Sequence, residues 1–389
     1  MGSYVSVVRC RSDYGMNITC DGNVTSLRGT VPPNPDVAGI GIVSVFIAVT
    51  MFALALSAID VLWRMWKLCH NLPSTSPGQL FSLTEICEAL VLSCSDQQVF
   101  TGGAFAISLR YYNGCSVTAY HYNVLANMLL LTCATHLLSM SIVRNYWRNL
   151  WQSSLRVILI SGIILVTGLV LTNQDADTPI KFPTVIPGVN ETNNGLLFLP
   201  AACFQADAHM WKTIQETVSG PEQSRNAIFL DSPSNHIRGW GYYLAMLLWY
   251  LLALVVTYVR RFYHILRKYG AWAAIGRAFI PICCSSWVPE EENDTNDKPH
   301  KLFKWLHTIY MLSGVSLGSA TAITSANFIM TLRRWAQNSG WLETDPTKLQ
   351  VSPEDDATSF GQQVPILLTL LTVFTAAQTV NGKQNTFTK

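Results

Sequence analysis

The sequence predicts an all-α membrane protein: a bundle of seven transmembrane helices, N-terminus outside and C-terminus cytoplasmic. Three observations lead there. Only 13% of the 389 residues are charged and 49% are hydrophobic, whereas a soluble globular domain carries about 25% charged residues. Apolar runs of the length that a ~30 Å hydrocarbon core requires recur seven times. Twelve Trp and fourteen Tyr suit the two bilayer interfaces, where amphipathic rings collect. A net charge of +2 gives no reason to expect a nucleic-acid partner. The lipid bilayer is the partner the composition requires.

Residues 1–37 are polar, hold Arg9, Cys10, Arg11 and Cys20, and lack the apolar stretch of a cleavable signal peptide. They read as an extracytoplasmic N-terminal segment. Span one, about 38–63, is then an uncleaved signal-anchor. Span two, about 89–110, is interrupted by Ser95-Asp96-Gln97-Gln98. Span three, about 117–143, carries His121, Asn123, Asn127 and His136. Ionisable groups at membrane depth are rare and face a bundle interior or a wet cavity. With Asp60 near the end of span one, these residues form a candidate intramembrane polar site.

At ~1.5 Å per helical residue, Asp96 lies roughly 10 Å into the membrane and His136 lies at a similar level. An ionised Asp there needs a partner. His136 is the one expected, with Gln97 or Gln98 completing the hydrogen bonds. On a helical wheel His121, Met128, Thr132, Thr135 and His136 share a sector, with Tyr120, Asn123 and Asn127 beside it. Most of the polarity of span three is therefore expected on one broad inward side. The Asn and Thr residues read as interhelical glue. The Asp96–His136 pair reads equally as a ligand, ion or proton site.

Span four covers about 156–172. The outer loop 173–238 after it is too long for a structureless connection and is expected to fold. Span five, about 239–259, holds Tyr242, Tyr243, Trp249 and Tyr250, which read as interface anchors and packing. The inner loop 260–304 opens with RRFYHILRKYG, a basic amphipathic pattern suited to an anionic leaflet or a cytoplasmic partner. It continues through Cys283-Cys284, a palmitoylation candidate, and the acidic run Glu290-Glu291-Glu292. Span six, about 305–329, contains Gly314-x-x-x-Gly318, a close-packing surface. Span seven, about 364–380, leaves a short cytoplasmic tail at 381–389.

Orientation rests on two signals. Fifteen of the 26 Lys and Arg fall inside in this arrangement and eleven outside, the latter over longer stretches. Arg333 and Arg334 lie on the wrong side. Three sequons, at Asn17, Asn23 and Asn190, fall outside as glycosylation sites require, and only Asn293 falls inside. The opening Met-Gly-Ser-Tyr-Val-Ser fits a loose myristoylation pattern that argues for the opposite orientation.

Four of the ten cysteines, Cys10, Cys20, Cys115 and Cys203, then face the oxidising side. Four cysteines allow three pairings. The favoured one joins Cys115 to Cys203, pinning the long loop over the bundle, with Cys10–Cys20 as a local loop. No C-x-x-C or His/Cys spacing suggests zinc, and no cofactor is expected.

The seven spans, long outer loop and possible clamp on span three resemble G-protein-coupled receptors in architecture. Their motifs are missing: span three ends Ser139-Met-Ser-Ile-Val-Arg144, and spans six and seven lack Cys-Trp-x-Pro and Asn-Pro-x-x-Tyr. Closer in wording, Pro33-Asn-Pro-Asp-Val-Ala-Gly-Ile-Gly41, Ser95-Asp-Gln-Gln98, Tyr120-His-Tyr122 and Thr135-His-Leu137 resemble a group of multi-pass membrane proteins of filamentous fungi. That resemblance spans about the first 145 residues; it implies source and topology and carries no mechanism.

Three functions follow as expectations. First is a receptor-like, sensory or accessory membrane protein of the secretory route, at the plasma membrane, with a small-molecule ligand. Second is a membrane-embedded cyclase or isomerase of fungal secondary metabolism, with Asp96 or Glu88 as acid and His136 as base. Third is a transporter, although broken helices and repeated halves are not visible.

Overall fold

The computed structural model describes residues 7–18, 20, 28–70, 83–111, 115–143, 146, 150–172, 182–188, 195–204, 239–268, 298–343, 352–356, 363, 365–367, 369, 370 and 374. Within them the chain is mostly helical and forms no strand, only the isolated bridges Val31–Leu342 and Thr118–Pro200. The helices are α1 (Val7–Tyr14), α2 (Pro35–Ala38), α3 (Ile40–Cys69), α4 (Leu83–Tyr111), α5 (Ala119–Ile142), α6 (Leu150–Thr172), α7 (Trp240–Lys268) and α8 (Lys298–Asn338). Three 3-10 turns, η1 (Gly195–Phe198), η2 (Ala201–Phe204) and η3 (Pro353–Asp355), lie in the connections.

Among the described residues five helices are, by length and composition, long and apolar enough to cross a membrane: Pro35–Cys69, Ala119–Ile142, Leu150–Leu171, Trp240–Tyr258 and His307–Asn338. The fold thus reproduces five of the seven expected spans as strongly apolar helices. The second span forms as α4, a 29-residue helix, but Glu85, Glu88, Asp96, Gln97 and Gln98 dilute its hydropathy. The seventh run, 364–380, lies largely outside the described residues. So do the sequons at Asn23, Asn190 and Asn293, Cys283-Cys284, the acidic run and the tail.

At the centre stands α5. All 24 of its residues are buried, with α3, α4, α6, α7 and α8 packed around it. The polar side of span three is buried, as expected, but so is every other side of the helix. A helix enclosed by five neighbours has no outer face, so its polar groups are distributed among several interfaces. Its start is set by Thr118, whose side chain accepts from the His121 N–H at 3.3 Å and satisfies an otherwise free amide.

Close approach to α8 is made possible by the predicted small residues. A Cβ on Gly318 would stand 2.9 Å from Leu138 Cδ2, and one on Gly314 would meet Ser141 Oγ and Trp249 Nε1. The helix itself runs for 41 residues, roughly 60 Å, about twice a hydrocarbon core. It stops at Gly340, whose φ of +69° suits glycine just past a helix C-terminus. The basic opening of the inner loop continues α7 as far as Lys268 and forms no separate helix there.

Successive long helices alternate in direction. The starts of α3 and α5 and the ends of α6 and α8 share one end of the bundle. There Arg333 reaches Ala38 O and Tyr122 Oη donates to Val170 O. Connections fold over this end, as expected for the long loop where it is described. Ala119 N donates to Leu199 O and Ala201 N to Val117 O. The ring of Phe198 stacks between Trp335 and Trp341, with centroids 5.8 and 5.7 Å away.

Candidate functional site

A buried polar cluster lies at that capped end, around Glu354. The turn η3 begins Ser352-Pro353, with the Ser352 side chain accepting from Glu354 N. This points the Glu354 side chain down into the bundle, where its exposure is 0%. Its Oε1 accepts from Asn34 N at 3.1 Å and lies 2.9 Å from His121 Nε2. The hydroxyl of Tyr120 donates to Oε2 at 2.9 Å. The other ring nitrogen of His121 lies 2.8 Å from Thr118 Oγ1, so Nε2 is directed at the carboxylate. Burial pushes the Glu354 carboxyl up. The hydrogen bond and charge of His121, with hydrogen bonds from Asn34 and Tyr120, outweigh it and hold the group below its ordinary value.

Beside it, Arg333 is 2% exposed. It donates to Ala38 O at 2.6 Å, to Glu354 O at 3.4 Å and to Asp355 Oδ1 at 3.1 Å. Asp355 also accepts from Gln337. The charge that looked misplaced for topology is thus consumed by structure.

The expected Asp96–His136 pair does not form. Neighbouring residues on a helix point about 100° apart, so Ser95 and Asp96 face different helices. Asp96 meets Arg156 of α6 in a two-pronged ion pair, Nε–Oδ1 and Nη2–Oδ2 both 2.6 Å. Ser95 meets His136 Nδ1 at 2.9 Å. Gln97 and Gln98 complete neither contact. Gln97 donates to Thr369 Oγ1 at 2.8 Å, and Gln98 donates to Phe46 O at 3.1 Å and approaches Thr50. Asn123 donates to Ala119 O and Pro183 O, and Asn127 to Asn123 O, all at 2.9 Å.

Asp60 belongs to a third cluster, at the opposite end. Arg64 Nη2 lies 2.6 Å from Asp60 Oδ2 and 2.8 Å from Glu88 Oε1. Its Nη1 reaches Met311 Sδ at 3.2 Å. Three carboxylates proposed from sequence as an acid or a site member (Asp60, Glu88 and Asp96) thus each contact an arginine.

The favoured disulfide pairing is also corrected. Cys10 bonds Cys115 and Cys20 bonds Cys203, with Cα–Cα distances of 5.6 and 5.5 Å. Cys10 sits within α1, and Cys20 lies six residues beyond its end, so the helix presents them to different segments. The N-terminal segment is therefore the staple, tied once to the α4–α5 connection and once to η2. Of the sequons, Asn17 is described and exposed.

Sequence reasoning missed Glu354, Arg333 and Arg156. Neither Glu354 nor Arg156 stands out in the sequence, and Arg333 reads there only as a topological charge. The available signal was a polar residue lacking a partner: His121 and Asp96 each needed one.

Among the described residues no group of three or more His, Cys, Asp or Glu is placed to hold a metal ion. No family model, curated protein or solved structure matches the chain.

Proposed function

We propose that the protein is a seven-span integral membrane protein of the receptor-like or accessory kind, N-terminus outside, on the secretory route to the plasma membrane. The observation that carries this reading is the capped end. Two disulfides, each tying the N-terminal segment to the bundle, belong to an oxidising compartment, and the buried Glu354 cluster fastens a further loop to the same end. A rigid outer cap over a helical bundle suits binding or assembly at that face. In the membrane-enzyme reading, which stands second, Asp96 or Glu88 would have to act as acid while in contact with an arginine.

Orientation is tested with full-length protein in sealed vesicles from a glycosylating host. Expected are a gel shift on glycosidase treatment, lost in the Asn17→Gln/Asn23→Gln/Asn190→Gln triple variant, and an N-terminal tag open to external protease. A protected tag with an unshifted band overturns the arrangement. Native mass spectrometry of the detergent-solubilised chain then tests the role. A retained small molecule or partner chain supports receptor-like or accessory function. A substrate converted during incubation moves the protein to the enzyme class.

A further inference from the structure

A small cavity lies between α5, α6 and α7, lined by Cys133, His136, Ile164, Tyr243, Met246 and Tyr250, with Leu137 and Leu247 closing its walls. It has room for about one water-sized particle. His136 is 1% exposed, and its Nε2 has no hydrogen-bond partner in the protein.

One ring nitrogen of His136 is already taken up. Ser139 Oγ donates to His136 O at 2.7 Å and lies 3.3 Å from Ser95 Oγ, to which it is also placed to donate, and Ser95 Oγ lies 2.9 Å from His136 Nδ1. With Ser95 accepting from Nδ1–H, Nε2 carries a lone pair. With Nδ1 held by Ser95 of α4, Nε2 on the far edge of the ring points toward α6 and α7, where the cavity lies. A histidine held through its other nitrogen is how proteins orient an imidazole for a metal.

The remaining donors are soft. Cys133, whose Sγ also lies 3.7 Å from Thr167 Oγ1 of α6, stands three residues before His136 on α5, and Met246 lines the same cavity from α7. Thiolate, thioether and imidazole together favour Cu(I). Charge favours it too. No carboxylate or arginine lines the cavity, so a site here must stay electrically neutral when filled. Cu⁺ entering as the Cys133 S–H proton leaves to solvent forms an S–Cu bond with no change in net charge; Zn²⁺ would leave one positive charge buried. The tyrosine hydroxyls are directed elsewhere, Tyr243 donating to Ile164 O at 3.0 Å and Tyr250 lying near Ser161 and Val157 O.

We infer that this cavity is a binding site for one soft monovalent cation, Cu(I), held by Cys133, His136 and Met246 with Ser95 positioning the histidine. The inference goes beyond the proposed function and is independent of which way the bundle faces.

The test uses the full chain in detergent, under anaerobic ascorbate, with Cu(I) presented as its bicinchoninate complex and Ag(I) as a redox-inert second probe. One ion per chain is expected. Met246→Leu, which conserves volume, should weaken binding by roughly tenfold or more, and Ser95→Ala by roughly 10–100-fold. Cys133→Ser should abolish it. Cys94→Ala, removing a buried thiol that packs elsewhere, should leave it unchanged. Should Cys133→Ser fail to fold, the Met246→Leu and Ser95→Ala titrations still decide. No uptake by folded wild-type protein overturns the inference and leaves the cavity to a water molecule. Uptake that Met246→Leu and Ser95→Ala do not alter overturns it equally, placing the ion on another thiol.

Discussion

Glu354 and Asp96 are both partnered carboxylates in opposite surroundings, the first against the His121 imidazole and the second against the Arg156 guanidinium. Glu354 is fully buried and has partners from three segments: Asn34, the α5 residues Tyr120 and His121, and Arg333 at its backbone oxygen. Asp96 has the shorter, two-pronged ion pair, yet its side chain is 31% exposed and that of Arg156 21%. Contact distance alone ranks Asp96 first. Burial reverses the ranking, because a partner removed from a fully buried pair strands its counterpart without solvent, whereas an accessible pair is re-solvated or rearranges.

The largest effect is expected at Glu354. Replacing it with Ala should cost about 3–5 kcal/mol, the usual consequence of breaking a buried pair, read as a lower thermal midpoint in detergent. Equal losses for Glu354→Ala and Asp96→Asn would break the comparison. Acid sharpens it. The folded-state pKa of Glu354 lies below its ordinary value of about 4.5, so its stabilisation is complete above that pH. It is lost as pH falls through the lower folded value. Tyr120 and His121 contact its carboxylate, and Arg333, paired with Asp355, contacts its backbone oxygen. Wild-type stability should therefore drop more steeply below about pH 4.5 than that of Glu354→Gln. Parallel curves would show that Glu354 does not carry the effect.

Next come the covalent ties at the same end. Cys20→Ser opens a link between residues 183 apart and should cost about 2–5 kcal/mol, with the midpoint of reduced wild type as control. A midpoint that neither the substitution nor reduction moves would show that the Glu354 cluster alone holds the cap. Away from the cap, Gly314→Val drives a side chain into Ser141 and Trp249 and should cost about 1–3 kcal/mol by overpacking. A neutral result would mean that α5 and α8 separate easily.

These regions were unequally legible in the sequence. The positions of the long helices could be read because hydropathy over about twenty residues is a local property. The polar centre of span three was equally visible, since His121, Asn123, Asn127 and His136 stand out in an apolar run. The partners were not, because partner choice depends on how the helices are rotated. Asp96 and Ser95 are adjacent in sequence but face α6 and α5. Glu354 was invisible for a different reason: Ser352-Pro353-Glu354-Asp355-Asp356 has the composition of a solvated turn. Only the placement of η3 against Asn34 and α5 buries it. The cysteines divide the same way. Their even number on one side was legible, but the pairing depended on where α1 docks.

The smallest expected effect is at Asp96. Asp96→Asn keeps the shape and one acceptor oxygen for Arg156 but removes the charge. A partly exposed pair is worth about 0–1 kcal/mol, and Arg156 has a long stem that can carry its guanidinium toward the nearer interface. A loss of 1 kcal/mol or less, measured in the same detergent as Glu354→Ala, is therefore expected. The location of the pair on α4 and α6 makes reconstitution into lipid informative. If hydrocarbon covers its exposed side, Arg156 without its partner costs more in a bilayer than in a micelle, up to about 3 kcal/mol at the bilayer centre. The cost for Glu354→Ala, inside the capped end, should be the same in both. A loss at Asp96 that grows in lipid while that at Glu354 stays fixed would place the first pair on the membrane-facing side of the bundle and the second within the protein.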